Sequence, residues 1–501
     1  MNTTIRPRIL AIATACALLG ACAVGPDYVK PAVAVPPAYK EAASTTAADW
    51  KTAHPVDAIP RGAWWSVFND PDLDALERQV DAANQSLVQS EAQYRQSAAL
   101  VGEARAAWFP TVGVDASVTR SGRFSNADGL PNVHGTPESS HPSNDYSLPL
   151  SASWEPDLWG RVRRQVEANV ANAQASAALV ESTRLSLHAE LAQDYFQLRT
   201  VDAQEKLLDD TVAGYERSLK ITQNQYDVGI VARADVVQAQ SQLKSAQAQA
   251  IDLGVQRAQL EHAIALLVGK APADVAIAVK PLPSQLPAIP AGVPSELLER
   301  RPDVAQAERE MQSANAQIGV AKAAYFPSLT LSADGGFQSS TLSKWLEAES
   351  GFWSLGAQLA QTLFDGGLRR SQTAQARAGY DAAVANYREV ALAALQNVED
   401  ELAAVRILEQ ESAAQADAVK ASETALHIAE NQYRAGIVSY LNVVVAQNAA
   451  YANERSAIGV TGNRFLSTVG LIKALGGGWD AGELPAVQDI TVRKPKSAGT
   501  Y

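Results

Sequence analysis

Six histidines, two cysteines and many carboxylates are the residues from which a catalytic or metal site would have to be built. His134 and His141 share one Gly/Pro/Ser/Asn-rich stretch, where a metal ion would find two imidazoles and no further ligand; they read as solvated loop residues. Glu190 and Asp194 stand one helical turn apart, close enough for paired acid/base work. They belong, however, to a long series of polar positions that reads as the wet face of an amphipathic helix. No Gly-rich phosphate loop followed by Lys-Ser/Thr occurs. The residues therefore point away from an enzyme, and no cofactor or metal is expected. Cys22 alone stands in a setting that specifies a chemistry of its own.

The elements around Cys22 explain why. Arg6 and Arg8 precede the apolar run "ILAIATACALL", too short to span a bilayer, and "LGAC" follows. Leu19-Gly20-Ala21-Cys22 resembles the lipobox of bacterial lipoproteins, which implies removal of residues 1–21 and lipid on Cys22. Ala23 is not the Asp that retains such proteins at the inner membrane, so the resemblance implies the outer membrane. Cys16 lies in the signal, so the mature chain has one cysteine and forms no internal disulfide. Losing Arg6 and Arg8 takes the formal net charge from −12 to −14. An acidic chain without a basic stretch is a poor nucleic-acid binder. No apolar run in the mature sequence is long enough for a transmembrane helix.

Residues 22–68, rich in Pro and Ala near the start, read as an extended tether. A helix is expected from Asn69 or Asp70 as N-cap, with Pro71 in its first turn, running to about Ala107. From Thr111 the period becomes two: Val112, Val114, Ala116 and Val118 alternate with polar or small residues, and Tyr146, Leu148, Leu150, Ala152 and Trp154 do the same after a loop. Two strands of about ten residues fit a tilted bilayer crossing, or an ordinary half-buried hairpin. Arg161 to Tyr226 then reads as one helix about 100 Å long, with Leu208, Val212, Tyr215, Leu219 and Tyr226 as a coiled-coil-like seam. A second helix returns from about Asp235 to Val268.

The pattern occurs twice. "ARAAWFPTVGVDAS" at Ala104 matches "AKAAYFPSLTLSAD" at Ala321, and "QYDVGIVARADVVQAQ" at Gln225 matches "QYRAGIVSYLNVVVAQ" at Gln432. Each copy is strand pair, long helix, tip and return helix. Gly229 and Gly436 help turn the chain at the two tips. The segments are 69–270 for the first repeat, 271–294 for a Pro-rich linker, 295–476 for the second repeat and 477–501 for a C-terminal tail. The fold class is mainly α with membrane β, internally duplicated, with four strands per protomer. Four strands do not close a barrel, so spanning strands require several copies. The helix before strand one and the return helix together nearly equal the long helix, so the short ones are expected to stack end to end beside it.

The lipobox, "FNDPDLDALERQV", "ERRPDVAQAE" from Glu299, the two "GIV" tips and "KALGGG" together resemble the outer-membrane factor family over essentially the whole mature chain. These are TolC-like proteins, here similar to the lipoprotein branch that serves RND-type efflux pumps. The resemblance implies a homotrimer, with a shared 12-stranded β-barrel continuous with an α-helical barrel across the periplasm. It also implies a periplasmic adaptor (membrane fusion protein) and an inner-membrane RND-type transporter as partners. The implied role is a passive exit duct for small molecules. The outer component of a type I protein-secretion system uses the same fold and stays open as the alternative; a periplasmic adaptor and a lipid-anchored coiled coil fit less well. Trp108, Phe109, Tyr146, Trp154, Tyr325, Phe326 and Trp353 flank the strands as a girdle.

At the tips, Asp227 and Arg434 occupy matching positions after Tyr226 and Tyr433, and opposite charges there are expected to pair and draw the tips inward. Leu441 adds an apolar constriction. Related ducts carry an acid in a "DAQ" segment where this chain has Val445; Asp235, in the first tip, is the acid nearest the equivalent region.

Overall fold

The computed structural model describes residues 24–33, 35–41, 62–122, 142–283, 285–289 and 294–490. Cys22, His134 and His141 lie outside the described residues.

Helix α1 (Pro71–Ala83) starts where expected: the Asp70 carboxylate accepts from the backbone N–H of Asp72 and Leu73, and Pro71 fills the first turn. It does not run to Ala107. The chain breaks at Asn84, whose side chain caps a separate helix α2 (Gln85–Ala106) through Ser86 and Leu87. Strands β1 (Thr111–Val114) and β2 (Ser117–Ser121) are two pieces of one expected strand, both paired antiparallel with β3 (Ser143–Trp154). The register runs through the gap, where Asp115 donates to the Pro149 carbonyl and Pro149 has no N–H to return.

Helix α3 (Arg161–Asp227) has 67 residues, and α4 (Arg233–Leu267) returns along it. The second half repeats the plan: α5 (Pro294–Arg300), α6 (Pro302–Ala323), β4 (Ser328–Ser339), β5 (Gly351–Ala360), α7 (Leu368–Arg434) and α8 (Tyr440–Ala474). The sheet order is β1-β3-β4-β5, with β2 also on β3. Its register aligns Val112, Ala152, Ala333 and Leu355 in one cross-strand row, and Val114, Leu150, Gly335 and Trp353 in another. Rows of the opposite parity hold Thr111, Ser153 and Ser332, and Gly113, Ser151, Asp334 and Ser354. One face of the whole sheet is thus apolar and the other polar. The apolar side chains of the outer strands are bare in the protomer, Val114 70 % and Leu355 77 % exposed, while Ala152 and Ala333 of the middle strands are half-buried.

The upper half of α3 packs against α2 and α6, the lower half against α4 and α8. The expected seam is real: Leu208, Tyr215 and Thr222 are buried at seven-residue steps, the first two against Leu243, Ala246 and Leu253 of α4, with Val212 and Leu219 partly buried. It ends before Tyr226, which is exposed. The short helices do stack, but only α2 stands above α4; α1 turns aside and joins Trp64, Trp65 and Phe68 in a core at mid-height, where Phe196 stacks on Phe465 at 4.7 Å.

The expected tether is not free over its described part. Val24 N–H donates to the Trp159 carbonyl, Lys30 pairs with Glu308 at 2.6 Å, and Glu399 accepts from the backbone N–H of Lys40 and Glu41. Residues 24–41 therefore form a strap along α6 and α7, less the undescribed residue 34. No helix among the described residues is long and apolar enough to cross a membrane.

Candidate functional site: the two hairpin tips

Both tips end their long helices with the same device. At the first, Gly229 N–H donates to the Tyr226 carbonyl and Ile230 N–H to the Gln225 carbonyl at 2.8 Å. At the second, Gly436 donates to Tyr433 and Ile437 to Gln432 at 2.9 Å. This is the Schellman pattern, which needs a left-handed residue; Gly229 has φ +79° and Gly436 φ +74°. Four residues past each glycine, α4 begins at Arg233 and α8 at Tyr440.

Asp227 and Arg434 do not pair inside the protomer. Asp227 accepts from the Gln223 amide at 2.8 Å, and Arg434 pairs with Glu430 at 3.3 Å. Gln223 and Glu430 are themselves equivalent positions, one turn back on their own helices, so each charged side chain is served locally. Asp235 lies in the first turn of α4, half-buried, and its charge is felt by the Tyr440 hydroxyl. Leu441 and Val445 are exposed on one side of α8, while Val443 and Val444 are buried.

The hairpins are joined by tyrosines that the sequence did not single out for this task. Tyr433 Oη donates to Gln225 Oε1 at 2.6 Å, Ser218 Oγ donates to Tyr440 Oη at 3.1 Å, and the two rings lie 5.5 Å apart. Burial first, and then the nearby Tyr433 and Asp235, push the Tyr440 hydroxyl up, so it stays neutral. Above this link α3, α7 and α8 enclose a cleft of about 470 Å³ lined by Arg217, Ile221, Glu430, Arg434 and Gln447. Among the described residues, no cluster of His, Cys, Asp and Glu could hold a metal ion.

A second polar cluster, at mid-height, also went unread. His188 is buried, with Nδ1 2.6 Å from Glu77 and Nε2 3.3 Å from Asp81, and Trp65 stacks on its ring at 4.4 Å. Burial alone would lower its pKa, but the hydrogen bonds and charges of Asp81 and Glu77 raise it to about 9. Burial raises Glu77 to about 7. These residues come from α1 and α3, more than a hundred positions apart, and no local spacing joins them.

The duplicated hairpins, the two-faced sheet and the glycine tips together match one family. The outer membrane efflux protein family model covers residues 69–270 and 293–477. The chain belongs to that family. It is 33 % identical over 97 % of its length to the toluene efflux pump outer membrane protein TtgC of Pseudomonas putida, covering 99 % of that protein. It superposes on the outer-membrane channel OprN with TM-score 0.83 and 30 % identity, over 91 % of this chain and 100 % of that one. The open-state MtrE channel of Neisseria gonorrhoeae gives TM-score 0.77 at 27 % identity, over 92 % of this chain and 99 % of the other. The protein is thus an outer-membrane efflux duct and no enzyme. Proteins of this family are trimeric channels that work with a periplasmic adaptor and an inner-membrane transporter.

Proposed function

We propose that three copies of this chain form the lipid-anchored exit duct of an RND-type tripartite efflux pump and release small molecules through the outer membrane. The observation that carries this is the sheet. Its apolar face is continuous over all strands, yet among the described residues β5 and the β1/β2 pieces each have one unpaired edge. An open edge in lipid leaves backbone groups unsatisfied, so the edges of neighbouring protomers must pair, giving a closed barrel of twelve strands.

The signal at 1–21 is removed and Cys22 carries diacylglycerol and an N-acyl chain, such as palmitate. The strap supports this reading, because Val24 is bonded to Trp159 at the base of the sheet, two residues from the lipid. In the periplasm the tips form the gate, with Asp227, Arg434, Asp235 and Leu441 around the narrowing, and an adaptor opens it. The relative named as a toluene pump makes apolar organic molecules the first cargo to test.

A deletion strain is the test. It should accumulate toluene, and the wild-type gene should reverse this only when the cognate RND transporter is present. Reversal that instead required an ABC exporter and restored secretion of a protein would reject the reading. Mass spectrometry of the purified protein should show a triacylated Cys22 as the first residue; a bare cysteine, or a retained 1–21 segment, would reject the anchor.

A further inference from the structure

The polar face of the sheet turns away from lipid and therefore lines the duct. Most positions on it are Ser, Thr or Gly. Three acids stand out, Asp115, Asp145 and Asp334, together with one aromatic ring, Phe352. The register fixes their side. Asp145 pairs with Thr119, Asp334 lies between Ser151 and Ser354, and Phe352 lies opposite Gly336, all in rows of the parity opposite to Val114 and Leu150. Asp115 belongs to the Phe352 row, because its N–H donates to the Pro149 carbonyl and Pro149 pairs with Gly336.

None of the three carboxylates meets a cation among the described residues. Asp145 accepts from the Gln338 amide at 3.1 Å and Asp334 from the Ser354 hydroxyl at 3.2 Å. No Lys, Arg or His stands on this face of the described strands; Arg120, opposite Asn144, belongs to the other. Three such acids in each of three protomers make a ring of negative charge. A barrel of twelve strands about 4.8 Å apart and tilted by about 40° has a backbone radius of about 12 Å. The screening length is about 10 Å at about 0.1 M salt. The charge therefore reaches the duct axis at low salt and withdraws to the wall at high salt.

Phe352 is the large apolar side chain of this face among the described strands. The row beside it is low. A Cβ at Gly336 would run into the Leu148 carbonyl oxygen, so no side chain rises there, and Pro149 offers only its flat ring. Asp334 stands one row away on the diagonal from Phe352, a separation of about 7–8 Å that an aromatic side chain reaches across. Ser354, the next residue of β5 on this face, holds the Asp334 carboxylate. A small molecule resting its apolar body on Phe352 thus carries its charged end to a carboxylate. Ammonium groups are drawn to both partners, to the carboxylate by charge and to the ring by its quadrupole.

We infer that Phe352 and Asp334 form a lumenal site for organic ammonium ions with an apolar body, in a barrel that Asp115 and Asp145 make attractive to cations. The inference rests on the exit-duct reading and adds a preferred class of solute to it. Conductance of the wild type without ammonium binding would sink the site and leave the duct standing.

The probe is benzyltrimethylammonium, with benzyl alcohol as its uncharged counterpart. Saturation-transfer NMR on the full-length trimer in a zwitterionic detergent measures Kd for each. The wild type should bind the cation more tightly than the alcohol, and salt should erode the difference. D334N should raise Kd for the cation about threefold; F352L, which keeps apolar bulk without a ring face, should do the same, and the two together about tenfold. An undiminished affinity in the double variant would overturn the inference, as would equal binding of the alcohol by the wild type. Zero-current potentials in a KCl gradient test the wider field. D115N/D145N/D334N should move the potential towards the chloride value, and an unmoved potential would overturn the attraction assigned to the barrel.

Discussion

The Asn84 side-chain amide donates to the Leu267 carbonyl at 2.8 Å, joining the start of α2 to the end of α4. The second repeat makes the same joint with other residues: Arg301 donates to the Ala474 carbonyl at 3.1 Å. In both, a side chain preceding the upper short helix satisfies a carbonyl left over at the end of the lower one. Gly269 and Gly476, at φ +70° and +92°, end the lower helices beside these joints. Two short helices thereby act as one column beside each long helix.

Asn84→Ala should be among the most damaging single polar changes in the periplasmic part. Asn84 is 4 % exposed, caps two N–H groups and satisfies one carbonyl. Losing the cap costs about 1 kcal/mol and orphaning a buried carbonyl about 1–3 kcal/mol. Urea unfolding of the detergent-solubilised trimer, followed by circular dichroism, should shift to lower midpoint. Asn84→Ser, which keeps a capping oxygen but not the reach to Leu267, should fall between.

The helical column was legible in outline and not in detail. Long Pro-free stretches, the alternating strands and the twin glycines are local signals, and helices, strands and tips stand where those signals put them. The breaks at Asn84 and between Val114 and Ser117 were not legible, because each is imposed by a partner far along the chain: Leu267 in one case, Pro149 in the other. The expected Asp227–Arg434 pair assumed that equivalent residues of adjacent hairpins face each other. Each side chain instead has a partner on its own helix, which costs less ordering than reaching across.

His188 makes stability fall towards alkaline pH. Its partners on α1 are Glu77 and Asp81, with Asp74 behind them, and Arg184 on its own helix binds Asp81. A histidine raised from 6.5 to about 9 contributes fully below pH 6.5 and loses that contribution as pH rises through about 9. Glu77, raised from 4.5 to about 7, acts in the same direction, since its favoured neutral form is lost on raising pH. Unfolding midpoints of the wild type should decline between about pH 6.5 and 9, and His188→Gln should be less stable at pH 6 with a flatter profile. A wild-type profile rising over that window would contradict this account.

Gly229→Ala and Gly436→Ala should each cost about 1 kcal/mol through backbone conformation alone. Nothing lies within 4 Å of a Cβ at either position, so no clash adds to the cost. The double change should fray both tips and raise amide hydrogen exchange at Tyr226 to Val231 and Tyr433 to Val438. The middle of the duct should keep its protection.

The gate separates two ways of holding the tips shut. Inside a protomer, among the described residues, Arg434 pairs with Glu430 and Asp227 is held by the neutral Gln223 amide, so an ionic seal between the two would have to run between protomers. Such exposed pairs contribute only about 0.2–1 kcal/mol each, weak enough for a docking partner to break. Arg434→Ala and Asp227→Ala should then each raise single-channel conductance at low salt, and Asp227→Arg with Arg434→Asp should recover part of the closed state. The tyrosine link is the competing clamp, because Tyr433 Oη on Gln225 ties the second hairpin to the first within one chain. Tyr433→Phe removes that bond and keeps the ring packing on Tyr440. A large conductance increase in Tyr433→Phe, with none in either charge variant, would assign the closed state to the hydroxyl. The reverse pattern would assign it to charges meeting across the trimer.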